Sequence, residues 1–132
     1  MKKVIVIIIA VLIIGGGAAY FLFLTPPPEA ETIFYTPGDY FVTNIKDSDA
    51  LIKVTIVLEL STADPETATA YLTENNHIIR DIIVFTLRSK TEEELRSQGI
   101  EEQLRTEIVN NLESKMGLDY ITTIYFNDYV IQ

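Results

Sequence analysis

His77 is the only histidine in the chain, and there is no cysteine. Glu74 stands three residues before it and Asp81 four residues after. On a helix these spacings bring the three side chains to one face, and an imidazole with two carboxylates is a donor set that binds zinc. Polar neighbours at the same spacings are also what any solvated helix face presents, and that plainer reading is preferred. Nucleophilic catalysis fares no better. No serine stands in a Gly-x-Ser-x-Gly elbow, and a chain without cysteine has no thiolate. Gly15-Gly16-Gly17 lies inside an apolar run, so it is not a phosphate loop between a strand and a helix. Glu92, Glu93, Glu94, Glu101 and Glu102 fall in the first turns of expected helices, where negative charge favours the dipole without any catalytic role. These residues point away from an enzyme, and no metal, cofactor or small-molecule substrate is expected.

Side chains suited to contacts remain. Arg80, Asp81 and Arg88 belong to one expected helix, and Tyr120, Tyr125 and Tyr129 lie on or near the last expected strand. Arginine and tyrosine are enriched where proteins meet. Arg80, Asp81, Arg88, Tyr125 and Tyr129 are therefore the candidate interaction surface.

The first element that must position them is apolar. Val4 to Leu24 contains no charged or amide side chain. Its length as a helix is about 31 Å, the thickness of a bilayer's hydrocarbon core. Lys2 and Lys3 precede it, and cationic flanks stay cytoplasmic, so the remainder is expected on the far side of the membrane, which in a bacterium is the periplasm or cell exterior. A cleaved signal peptide has a shorter apolar stretch and a small-residue cleavage site. Gly17-Ala18-Ala19 resembles such a site, but Tyr20, Phe21 and Phe23 continue the apolar run, so an uncleaved anchor is preferred. Lipidation has no cysteine to use. Gly15 and Ala19 form a small-xxx-small pair that lets two helices approach closely, although a flexible glycine patch without a partner fits equally well.

The formal net charge is −9, and without Lys2 and Lys3 the rest carries 8 basic and 19 acidic residues, or −11. Such a surface repels nucleic acid and anionic headgroups and suits cationic patches on partner proteins. After the anchor, three consecutive prolines in Thr25 to Glu31 favour a stiff polyproline II post of roughly 20 Å. The expected layout is residues 1–3 cytoplasmic, 4–24 transmembrane, 25–35 a Pro-rich linker and 36–132 one exported domain.

Within the domain, Thr36-Pro37-Gly38-Asp39 carries the Pro-Gly pair of a type II turn. Tyr40 to Ile45 reads as a strand, Lys46 to Asp49 as a turn, and Ala50 to Leu60 as a half-buried strand alternating in steps of two; the two strands should form a hairpin. Asp64-Pro65 starts a helix expected to run to Arg88. Its buried stripe is Ala68, Tyr71, Leu72, Asn75, Ile78, Ile79, Ile82, Ile83 and Thr86, with a strand over Ile78 to Phe85 as the rival. Thr91 and Glu94 make a capping box for a short helix through Arg96. Gly99 ends it, and Ile100, Leu104, Ile108, Leu112 and Met116, with Val109, line a further helix that stops at Lys115 and Gly117. Leu118 to Gln132 is a final strand, expected to pair into the sheet. The order gives an α+β domain with helices packed on an antiparallel or mixed sheet.

The run Ile79-Arg80-Asp81-Ile82-Ile83-Val84-Phe85-Thr86-Leu87-Arg88-Ser89-Lys90-Thr91-Glu92-Glu93-Glu94-Leu95 resembles the central signature of the FliL family of flagellar basal-body-associated proteins. Leu104-Arg105-Thr106-Glu107-Ile108 and the ending Ile124-Tyr125-Phe126-Asn127-Asp128-Tyr129-Val130-Ile131-Gln132 resemble that family in the same order. The resemblance implies a periplasmic domain similar to the stomatin/prohibitin (SPFH) fold. It also implies self-association into a homo-oligomeric ring around the stator proteins MotA and MotB, or sodium-driven equivalents. The function implied is non-enzymatic support of stator activation, torque, motility and chemotaxis. The alternative is a stomatin-like membrane scaffold unrelated to flagella. A type IV pilin does not fit, because the anchor lacks the early acidic residue that pilin assembly uses. The short linker implies a ring close to the bilayer, and three residues before the anchor leave little for a cytoplasmic tail.

Overall fold

Nine elements follow one another in the computed structural model, which describes residues 1–132. They are α1 (Lys2–Leu24), β1 (Glu31–Tyr35), β2 (Phe41–Asn44), β3 (Leu51–Thr62), α2 (Pro65–Glu74), α3 (Asn76–Arg88), α4 (Glu92–Leu95), α5 (Ile100–Met116) and β4 (Ile121–Ile131). The fold is α+β, as the order of elements in the sequence implies. Helix α1 is exposed along its whole length, and it is the one helix long and apolar enough to cross a membrane.

Strand β3 is the spine of the sheet. Ile52, Val54, Ile56, Leu58 and Leu60 are all fully buried, while the residues between them are half-exposed on the other face. One edge of β3 is shared: β1 pairs antiparallel with its second half, Glu31 opposite Thr62, and β2 with its first half, Phe41 opposite Val54. The other edge takes β4, also antiparallel, from Leu60 opposite Ile121 to Ile52 opposite Ile131. Thr122 and Asn127 are extra residues at two irregularities in that ladder. They keep the inward face of β4 in step with β3 while the strand bends. Leu51 and Gln132 exchange backbone hydrogen bonds of 2.7 and 2.9 Å, so the carboxyl end is held in the sheet.

The helices cover one face of this sheet: α2 packs on β1, α3 on β2 and α5, and α5 on β4. Ile79, Ile82, Ile83 and Leu87 of α3 meet Leu104, Ile108 and Leu112 of α5 and the inward face of β3 in one core. Burying each such side chain contributes about 1.5–3 kcal/mol. The caps form as their residue types dictate. Asp64 accepts from the Thr67 amide at 3.1 Å with Pro65 in the first turn. At α4, Thr91 Oγ1 accepts from the Glu94 amide at 3.3 Å and Glu94 Oε2 accepts from the Thr91 amide at 2.7 Å. Gly117 closes α5 in the left-handed region, φ 69°, where a side chain is costly.

Four expectations need correction. The stretch 25–35 is not all linker, because Glu31–Tyr35 is a paired strand and the Pro-rich connection ends at Ala30. Thr36 to Asp39 is not a type II turn: Gly38 has φ 149°, far from the roughly 80° that turn needs. The helix expected from Asp64 to Arg88 breaks at Asn75. There the side chains compete with the helix ladder. Asn75 Nδ2 donates to Tyr71 O at 2.9 Å, and Asn76 Nδ2 reaches out of the helix to Pro37 O at 3.1 Å. The Tyr35 hydroxyl adds a clamp, 3.2 Å from both Leu72 O and Asn76 Oδ1. The break lets α2 follow β1 while α3 follows β2, and it alters the buried stripe. Tyr71 and Ile78 are exposed, Asn75 is half-exposed, and Leu87 is buried instead. Over Ile78 to Phe85 the chain is helix, not the rival strand.

Candidate interaction surface

The five candidate contact residues divide into two groups. Arg80 points back into its own chain. Its Nη1 donates to Pro37 O at 3.0 Å and its Nη2 to Tyr40 O at 3.3 Å. Its guanidinium carbon lies 4.5 Å from the centre of the buried Phe41 ring. Gly38 sits between the two accepting carbonyls, and a Cβ there would overlap the guanidinium. Arg80 thus pins the β1–β2 loop onto α3. Tyr129 is likewise internal: its hydroxyl donates to Leu95 O at 2.7 Å and its ring meets Phe126 edge-on at 6.0 Å. Burial, followed by the charge of Glu101, pushes its hydroxyl up to about 12. Tyr129 ties β4 to α4.

Asp81, Arg88 and Tyr125 are exposed. Tyr125 lies on the outer face of the sheet, where its hydroxyl donates to Glu59 Oε2 at 2.5 Å. That hydrogen bond raises the Tyr125 pKa from its ordinary value. The Phe34 ring is tilted against it at 6.4 Å, and the Arg105 guanidinium lies 6.0 Å from it. Phe34 is 64% exposed and Val42, on the same outer face, 47%. Sequence reasoning missed this aromatic pair, because the residues around Phe34 looked like linker. The alternation Thr32, Phe34 beside Ile33, Tyr35 was the available signal.

Two other features frame the surface. Tyr120 is half-buried at a cleft of about 420 Å³ that Tyr71, Ala68, Met116 and Leu118 also line. Burial, then the nearby Tyr71 and Asp119, raises its pKa. The turn between β2 and β3 is tied down to the start of α4: Lys46 N donates to Lys90 O at 3.0 Å, and Ser48 Oγ to Glu92 Oε2 at 2.8 Å. The Ser48 bond, then Arg96, holds the Glu92 carboxyl below the usual range. Glu74, His77 and Asp81 do not form a group able to hold a metal ion. The break at Asn75 separates Glu74, at the end of α2, from the other two on α3.

The pinned loop, the helix signature and all of the sheet but the first three residues of β1 fall within residues 34–132, and over those residues the chain matches the family model described as flagellar basal body-associated protein FliL. The chain belongs to the FliL family. A curated relative, flagellar protein FliL of Aquifex aeolicus (strain VF5), is 27% identical over 100 residues. The alignment covers 76% of this chain and 62% of that relative's length. That family is described as flagellar basal body-associated, and the apolar α1 is consistent with a single membrane-spanning helix.

Proposed function

We propose that this chain is a non-enzymatic accessory of the flagellar motor. It sits in the inner membrane through α1, with residues 1–3 cytoplasmic and the sheet domain periplasmic. It closes into a homo-oligomeric ring around stator units of the MotA/MotB kind, or sodium-driven equivalents, and supports their activation and torque. The observation that carries this proposal is the family match over residues 34–132 behind one apolar helix flanked by Lys2 and Lys3. Physical arguments support each part. Lysines before the span favour a cytoplasmic amino end. Anchoring every subunit in one plane raises its effective concentration, so a modest head-to-tail contact suffices to close a ring. The exposed Phe34–Tyr125 pair offers an apolar centre for such a contact, and the acidic surface suits cationic partner patches. The test is deletion with complementation, scored by swimming speed under viscous load and by co-purification of stator proteins from native membranes. Reduced motility restored by the gene, with stator proteins retained on the tagged chain, is the expected result. Unchanged motility and a chain that retains no stator protein would refute it.

A further inference from the structure

Helix α3 presents an outward stripe that nothing in the chain covers. Ile78 is 38% and Phe85 57% exposed, and they are seven residues apart. Asp81 and Arg88 are also seven apart, and both are exposed. Seven residues fall within about 20° of two full helical turns, so each pair stacks along the axis about 10.5 Å apart. Asp81 and Arg88 take part in none of the chain's ion pairs, which are Lys90–Glu107, Arg96–Glu92 and Arg105–Glu102. A Phe exposed in mid-helix between two unpaired opposite charges is not accounted for by the core that α3 builds on its other side.

The arrangement is self-complementary. At 100° per residue, Asp81 and Arg88 lie on the same flank of Phe85, about 40° and 60° round from it, one turn before and one turn after. A two-fold axis perpendicular to α3 at Phe85 reverses the helix direction and preserves the flank. It seats Phe85 on Phe85 and brings Asp81 of each copy to Arg88 of the other, twice, with an axial mismatch of about 1.5 Å, one residue's rise. A parallel pairing, with the two-fold axis along the helices, reverses the flank and leaves the charges of the two copies on opposite sides of the seam, so Asp81 of neither copy reaches Arg88 of the other. We infer that α3 is a docking face for a second copy of this chain, paired antiparallel about Phe85.

This contact is distinct from the ring proposed above. A two-fold interface uses the same patch on both copies and closes at two, whereas a ring needs two different patches. One helix stripe covers less than the roughly 800 Å² per partner of a stable complex, so the pair is weak in solution and relies on confinement in a bilayer. With both anchors in one bilayer, the two-fold axis stands along the membrane normal and α3 lies parallel to the membrane plane.

The chain has no cysteine, so Phe85→Cys supplies the sole thiol in the full-length protein. Reconstituted in vesicles of neutral lipid and oxidised, Phe85→Cys should form disulfide dimers. Adding Asp81→Arg or Arg88→Asp should lower the yield about tenfold, and adding both should restore it, because the swapped charges pair again across the axis. Because Phe85→Cys removes the aromatic contact, the native stripe is tested in parallel by energy transfer between labelled chains, which Phe85→Ala should reduce. Unchanged thermal unfolding of every variant separates lost pairing from lost fold. Absence of the disulfide, or a double reversal as poor as either single, would overturn the inference. A chain that pairs this way but fails to restore swimming would refute the motor proposal alone.

Discussion

Replacing Arg80 by alanine tests whether the family's signature helix builds the domain or meets partners at that position. In the structure the guanidinium bridges Pro37 O at 3.0 Å and Tyr40 O at 3.3 Å while covering Phe41. A hydrogen bond from a charged donor contributes about 1.5–3 kcal/mol, with the longer, exposed one at or below the low end. The cation–π contact adds about 0.5–1 kcal/mol. Arg80→Ala should therefore destabilise the domain by about 2–4 kcal/mol. For a domain near 100 residues that lowers Tm by roughly 10–25 °C. Arg80→Lys should lose about half as much, because an ammonium reaches one carbonyl and cannot span both. Gly38→Ala strains the same loop, since its φ of 149° disfavours a side chain and the new Cβ meets the guanidinium. Combined with Arg80→Ala its cost should be less than additive, because the two share one contact. Tyrosine near-UV circular dichroism of the full chain in detergent follows the melt. If Arg80→Ala melts within about 2 °C of the parent yet abolishes motility, Arg80 is a partner contact and the structural argument is wrong.

Two further predictions rest on single side chains. Tyr129→Phe removes the 2.7 Å bond to Leu95 O and should cost about 1 kcal/mol in urea unfolding. The folded chain keeps the Tyr129 proton from the ordinary 10.0 up to about 12, so its stabilisation is complete below pH 10 and fades as pH approaches 12; Tyr129→Phe should flatten that alkaline limb. At the acid end, the backbone bond from Thr91, then its hydroxyl, holds Glu94 below its ordinary 4.5. Unfolded chains take up that proton first as pH falls. The stabilisation is therefore present above pH 4.5 and lost as pH drops through the lower folded value. Glu94→Gln keeps the capping box but should remove this part of the acid sensitivity in Tm measured against pH.

Elements written in local chemistry were readable from the sequence. The alternation of β3, the Asp64-Pro65 start, the Thr91/Glu94 box and the Gly117 stop each depend on residues within a few positions of one another. Features set by distant partners were not. Strand β1 follows a proline run and is a strand because residues 58–62 of β3 accept it. Asn75 fits a helical stripe by spacing, and only Tyr35 and Pro37, about 40 residues upstream, reveal the break. The internal contacts of Arg80 and Tyr129 were hidden in the same way. Their residue types suit interfaces, but each has a backbone carbonyl of its own chain as partner, which no local pattern discloses. Asp81, Arg88 and Tyr125 do lie on the surface, with no such internal carbonyl partner.

Both kinds of residue occur on α3, inward Arg80 beside outward Asp81 and Arg88, and that makes the helix experimentally separable. Ile79, Ile82, Ile83, Thr86 and Leu87 face the core, and Arg80 fastens the β1–β2 loop. Ile78, Asp81, Phe85 and Arg88 face outward. Inward changes act through cavities or unsatisfied groups and must lower stability before they disturb any partner. Outward changes remove little that folding uses, so they should leave Tm near the parent value. A signature that is continuous in sequence is therefore two signatures in space, interleaved at helical period. A motility defect with an intact melt marks the outward set, and a defect that tracks Tm marks the inward one. Scoring variants of α3 on both axes at once assigns each residue to folding or to contact, whichever partner that contact serves.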